Sequence, residues 1–193
     1  GLVGLASRYN DSTAGNGQNI IKMGGSGADN TSIWLVGFGR RAIYGVLPKG
    51  YTSGIKHEDR GAFPHTDSDG NTYMAHRDEY SFASGVAVED WRYAVRICNI
   101  DVSAVGADPD GSSVNLINAM IKALHRVPSL QMPGVKFGFY MNRDMMTGLD
   151  IQGTNKQNSY FTSSEVEGVT RTKFRGIPLR TCDAILSTES VVA

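Results

Sequence analysis

Residues 86–101 read VAVEDWRYAVRICNID. Trp91, Tyr93, Val95 and Ile97 put a large apolar side chain at every second position, and Arg92, Arg96 and Cys98 fall between them. A period of two marks a half-buried strand, and bulky or β-branched residues suit a pleated surface. Between Val88 and Trp91 the apolar phase slips from even to odd positions. A bulge at Glu89 and Asp90 would reconcile both halves with one buried face. The more polar face presents the guanidinium groups of Arg92 and Arg96 and no general base, so the stretch reads as scaffold and contact surface.

Working outward toward the N-terminus, residues 32–38 (SIWLVGF) and 42–47 (AIYGVL) flank Gly39, Arg40 and Arg41 as a hairpin, and Pro48, Lys49 and Gly50 end the second strand. Residues 1–30 are loop-like, with glycines at 15, 17, 24, 25 and 27 and a short element at 19–23. Asp67-Ser-Asp-Gly70 is a turn, because Asp and Gly tolerate positive φ, and 72–82 is a strand.

Beyond Asp101 the period changes. Asp108-Pro-Asp-Gly111 is a turn, and Ser112 or Ser113 caps a helix whose apolar positions are Leu116, Ile117, Met120, Ile121 and Leu124. Pro128 stops it. Residues 135–141 (VKFGFYM) form a buried strand, and Asn142 caps a second helix running from Arg143 to about Gln152. Asp144 suits that helix's dipole, and Gly153 is its stop. Residues 152–168 read as a polar loop. Strands return over 173–185, with Gly176, Ile177 and Pro178 at an edge or bulge. The class is α+β, divided into a loop-rich lead-in (1–30), a β-rich part (31–103) and an αβ part (104–193).

A chain of 193 residues buries about 70% of its unfolded surface and supports a proper core. Lys plus Arg and Asp plus Glu both number 19, so the net charge is zero, which argues against a sequence-independent nucleic-acid binder held by phosphate contacts. Gly supplies 23 residues, above the average of roughly 7%, and predicts many tight turns. Cys98 and Cys182 lie in apolar runs and read as free buried thiols. Neither a signal peptide nor an apolar run of about 18 residues is present. Asn10 and Asn30 match the glycosylation pattern but have no secretory signal to support it.

His57, Glu58, Asp59, His65, Asp67, Asp69 and His76 crowd one region, and imidazoles with carboxylates bind zinc or iron. No metal-ligand spacing fixes a geometry among them, and the acidic run around Asp67 has its glycine two places too early for a calcium loop. A solvated hairpin tip is the favoured reading of this cluster. The rival is a metal-dependent enzyme using His57, His65 and His76. The glycines at 15, 17, 24, 25 and 27 lack the Lys-Ser/Thr of a phosphate loop, and no Gly-x-Ser-x-Gly elbow appears. His125 neighbours Lys122 and Arg126, so it caps a helix end rather than serving as a base. No catalytic, metal or cofactor residue is therefore assigned, and no cofactor is expected. A monomeric β-rich binding module is a third reading.

Several strings in one order carry a resemblance: GLASRYN (4–10), GGSGADNTSIW (24–34), PKG (48–50), HED (57–59), GVAVEDWRY (85–93), RICNID (96–101), ALHRVP (123–128), FYMNR (139–143) and FRGIP (174–178). Together they make nearly the whole chain resemble the major capsid proteins of short-tailed bacteriophages of the Epsilon15 kind. The resemblance implies the shell (HK97-like) fold of tailed phages, with an axial domain, a peripheral domain, an extended loop, an N-terminal arm and a spine helix. No helix here is long enough for the spine, so the arm, loop and spine are expected upstream of Gly1. The β-rich part would be peripheral and the αβ part axial. Implied partners are further copies in hexamers and pentamers, with scaffolding, portal or decoration proteins beside them, packaged DNA met only indirectly and no membrane. The implied location is the virion, after assembly in the host cytoplasm. Expected assembly contacts are Arg92 and Arg96, and Asp108 and Asp110 in a turn near the capsomer axis.

Overall fold

A computed structural model of the chain describes residues 4–51, 54–108, 111–155, 161–166 and 169–193. Helix α1 (Leu5–Arg8) is followed by strands β1 (Ile20–Lys22), β2 (Asn30–Phe38), β3 (Ile43–Val46), β4 (Lys56–Thr66), β5 (Thr72–Ser81), β6 (Gly85–Val88) and β7 (Ala94–Asp101). Then come helices α2 (Val102–Ala107) and α3 (Leu116–Arg126), strand β8 (Lys136–Met141), helix α4 (Arg143–Asn155), and strands β9 (Phe161–Val166), β10 (Val169–Phe174) and β11 (Ile177–Thr181). The chain divides into two units, Gly1–Tyr44 with Val88–Ala193, and Gly45–Ala87.

The first unit is built on a mixed sheet in the order β1-β7-β2-β8-β11-β10-β9. Strand β2 is antiparallel to both β7 and β8, and β8 continues parallel to β11. Ile33 and Leu35 of β2, Val95 and Ile97 of β7, and Phe139 and Met141 of β8 share one face and pack under the helices. There they meet Val105 of α2, Leu116, Ile117 and Met120 of α3, and Met145 and Leu149 of α4. The opposite face is also buried. Trp34, Val36, Ala94 and Cys98 lie there beneath Tyr9 and Val192, so segments from both ends of the chain cover it.

This second core changes the meaning of residues 86–101. Tyr93, Val95 and Ile97 join the helix-side core, but the other face of β7 is no solvent surface: Ala94 to Ile100 are all buried. The run is also two strands rather than one. Asp90 accepts a hydrogen bond from the Arg92 backbone N–H at 3.0 Å and caps a short 3-10 turn, Trp91–Tyr93, between β6 and β7. The bulge expected at Glu89 and Asp90 sits instead at the far end of β7. Thr31 pairs with Ile100 while Ile33 pairs with Ile97, and Asn99 takes φ 56° to absorb the extra residue. Asn tolerates that left-handed conformation better than most residues, and the slip lets Ile97 and Ile100 reach the same core.

Other expectations shift for local reasons. Residues 32–38 and 42–47 do not pair as a hairpin; β3 makes a single parallel bridge to β2 at Phe38 and Ile43 and pairs with β6 instead. Asn115, not Ser112 or Ser113, caps α3 by accepting from the Asn118 N–H at 2.9 Å. Asn142 does cap α4, through the Met145 N–H at 2.9 Å, but that helix runs past Gly153 to Asn155. Arg175 and Gly176, at φ 48° and 84°, make the tight turn joining β10 to β11. The expected boundary at 103 and 104 cuts through one core, since β2 pairs with both β7 and β8. Asn30 is fully buried, which removes it as a glycosylation acceptor.

The second unit carries the antiparallel hairpin of β4 and β5. Its tip is the turn expected at Asp67: the Asp67 carboxylate accepts from the Asp69 and Asn71 N–H groups at 2.9 and 3.0 Å, and Gly70 takes φ 85°. No helix among the described residues is long and apolar enough to cross a membrane.

Candidate assembly surface

Arg96 and Arg92 belong to different environments. Arg96 is 3% exposed. Its guanidinium donates to Ser32 Oγ at 3.0 Å, to the Tyr9 carbonyl at 2.8 Å and to Glu189 at 2.8 Å, and lies 5.3 Å from the Trp34 ring centroid. Ser32 also donates to Glu189. A buried charge is tolerated when paired and fully hydrogen-bonded. Arg96 thus fastens the segment after α1 and the C-terminal segment to the sheet. Burial pushes the neighbouring Tyr9 phenol up to about 12, with Asp90 adding to the effect, and its hydroxyl donates to the Trp91 carbonyl at 2.6 Å. Burial likewise raises the Cys98 thiol, which is enclosed, whereas Cys182 is half-buried; both are free. Arg96, expected as an assembly contact, is thus enclosed within the subunit.

Arg92 is exposed and forms a two-pronged ion pair with Asp90 on its own turn, with contacts of 2.7 to 3.2 Å. Its bond to Arg92 holds the Asp90 carboxyl below the usual range. Asp108 does internal work too. Its carboxylate accepts from the N–H and Oγ of Ser112 at 3.1 and 2.9 Å, from those of Ser113 at 2.7 and 2.9 Å, and from the Val114 N–H at 3.0 Å. The backbone bonds to Val114 and Ser113 hold it far below the carboxylate range. Asp110 lies outside the described residues. Sequence reasoning missed Gln152, which is fully buried and pins the same loop to α4: its Nε2 donates to the Val114 carbonyl at 2.8 Å and its Oε1 accepts from the Leu116 N–H at 3.1 Å. A polar residue at the very end of the expected helix gives no hint of that role.

The residues crowded at 57–76 are spread along the hairpin. His57 and His65 are eight residues apart on β4, roughly 27 Å at strand rise. His57 stacks on Tyr80 at 4.6 Å and meets Asp78 at 3.0 Å, while His65 sits edge-on to Tyr73. Among the described residues no group of three or more His, Cys, Asp or Glu is placed to hold a metal ion. The hairpin tip expected of this cluster holds Asp67 and Asp69, while His57, Glu58, Asp59 and His76 lie along the strands away from it.

The sequence matches the family described as Major capsid protein GP7 over residues 1–193. The chain belongs to that capsid protein family. A chain in the near-atomic cryo-EM structure of bacteriophage Epsilon15 is similar to it at 31% identity and a TM-score of 0.61, over 91% of this chain and 53% of that one. This chain therefore spans about half the length of that relative. No curated protein matches it. The α+β architecture is the HK97-like shell fold.

In a capsid protein the telling surfaces are those left unfinished by the subunit. The Gly45–Ala87 unit contributes no side chain to the buried apolar core among the described residues. Yet it exposes Val46, Leu47, Ile55, Tyr73, Met74, Tyr80, Phe82 and Val86, with Met74 and Tyr80 each 67% exposed. An isolated two-stranded hairpin is marginal in water, and so dense an apolar surface marks an interaction site.

Proposed function

We propose that this chain is a structural subunit that packs with copies of itself into hexamers and pentamers of an icosahedral phage shell around the genome. The work is assembly, not catalysis, and the site of action is the virion, reached through assembly in the host cytoplasm. Membership of the capsid family supports the reading. The single structural observation that carries it is the coreless hairpin unit with its exposed apolar side chains, which need a covering surface. Contacts between different patches on identical subunits close into rings, and charged rims set their register. Axial-type and peripheral-type roles then divide near residues 44 and 88 rather than at 103. Arg92, Arg96, and Asp108 and Asp110 of the turn expected near the capsomer axis, remain the proposed contact residues. Scaffolding, portal or decoration proteins would be further partners. Electron microscopy of the complete gene product tests the reading: closed shells are expected, and a monomer that stays dispersed at high concentration overturns it.

A further inference from the structure

The zero net charge hides two opposed parts. Lys56 to Ser81 hold three cations, Lys56, Arg60 and Arg77, against six carboxylates, a net charge of −3. The remaining residues hold 16 against 13, a net charge of +3.

The two hairpin faces differ. Directly paired residues share a face, and alternation extends each face along the strand. On one face Glu58 and Glu79 oppose each other, but Arg60 bridges them at 3.0 and 2.7 Å and Lys56 pairs with Glu58. On the other face Asp59 opposes Asp78, with no Lys or Arg among the paired residues of that face; His57 meets Asp78 at 3.0 Å, and His76 lies two residues along the same face. Asp59 accepts from the Gly61 N–H at 2.7 Å. Tyr80, Met74 and Pro64 lie on that face, all exposed. Like charges directly opposite each other destabilise a sheet pair, so this face has a carboxylate pair awaiting a cation amid apolar area.

The complement is on the other unit. Arg40 and Arg41 follow β2, are both exposed, and make no hydrogen bond or ion pair among the described residues. They line a depression with Glu89, Pro133 and Gly134, which continues past Arg41 to Trp91 and Arg92. Trp91 supplies an aromatic surface beside unpaired guanidiniums, a combination enriched in interface centres.

We propose that the Asp59/Asp78 face of the β4–β5 hairpin docks on the Arg40/Arg41 depression of a second copy of this chain. The inference rests on the shell reading and names the contact within it. Patches at different places on one chain make a heterologous contact, the kind that propagates around a ring.

A charge exchange in the complete gene product tests this. Arg40→Glu with Arg41→Glu in one chain, and Asp59→Lys with Asp78→Lys in another, alter exposed residues, and thermal melts confirm that each variant folds. Each alone should lower shell yield roughly tenfold or more, since like charges then face each other, and mixing the two should restore shells. Shells from wild-type protein with normal yield from either variant, or with no recovery on mixing, overturn the docking and leave the shell reading intact. Dispersed monomers from wild-type protein overturn both.

Discussion

Strand β7 and the strands of the β4–β5 hairpin all carry charged and large apolar side chains, and they end in opposite environments. Seven consecutive residues of β7 are buried, arginine and asparagine among them, while no residue of β4 or β5 is. Alternation specifies which residues share a face, not what covers that face. For β7 the cover comes from the helices on one side and from distant chain segments on the other. For the hairpin, no described residue of its own unit is a buried apolar one. The first unit internalises polar groups and hydrogen-bonds most of them, Asn30 Oδ1 being an exception; the second externalises apolar groups.

The sharpest way to break this contrast is Arg96→Ala. It leaves Glu189 half-enclosed without its cation and removes the contact with Trp34, so a loss of about 3–5 kcal/mol is expected, measured by chemical denaturation. A loss below about 1 kcal/mol would mean that Arg96 behaves as a surface charge and that the two units do not differ as argued. Asn99→Ala should cost less, about 2 kcal/mol. It removes a reciprocal pair of hydrogen bonds with the Val192 backbone, at 2.9 and 3.0 Å, each worth about 1 kcal/mol, and puts alanine at a positive φ. Hydrogen exchange should speed up at Val192 first.

What was legible in the sequence follows the same division. Periodicity locates β2, α3 and β8 because local pattern and tertiary burial agree there. It misplaces the cover of β7, since nothing within 86–101 records that Tyr9 and Val192 come to lie on it. It misses β9 because Phe161–Val166 is polar enough to read as loop. The contact residues were read least well. Arg96 looks like any strand arginine until Glu189, 93 residues away, is brought beside it, whereas the solvated hairpin was readable because Asp67-Ser-Asp-Gly70 writes its own turn. The capsid family was legible from ordered strings rather than from any physical pattern.

Asp108 gives a smaller effect with a defined sign. Its carboxyl is held far below the ordinary value by hydrogen bonds to Val114 and Ser113, so the folded state releases this proton more readily than the unfolded one. The stability it contributes is fully present above about pH 4, the ordinary aspartate value. It fades as pH falls below that value toward the folded one. In paired thermal melts, wild type should melt above Asp108→Asn at pH 7, and the gap should narrow toward pH 3. A gap that stays constant over that range would mean that the charge on Asp108 contributes nothing to the loop.

The hairpin predicts the smallest effect on folding and so tests the contrast most directly. Met74→Ser removes an apolar side chain that is 67% exposed and faces Pro64 across the pair. Surface changes of this kind shift stability by no more than about 0.5 kcal/mol, and the melting temperature of the unassembled subunit should barely move. Shell yield should nonetheless fall, because apolar area buried against a partner contributes about 25 cal/mol per Å² at each copy of the contact, and a closed shell repeats that contact in every subunit. A substitution silent in the monomer and visible only in the assembly is what a coreless unit demands. If Met74→Ser instead destabilises the free subunit by 2 kcal/mol or so, the range of a core truncation, the hairpin has an internal core after all and its exposed residues need no second copy to cover them.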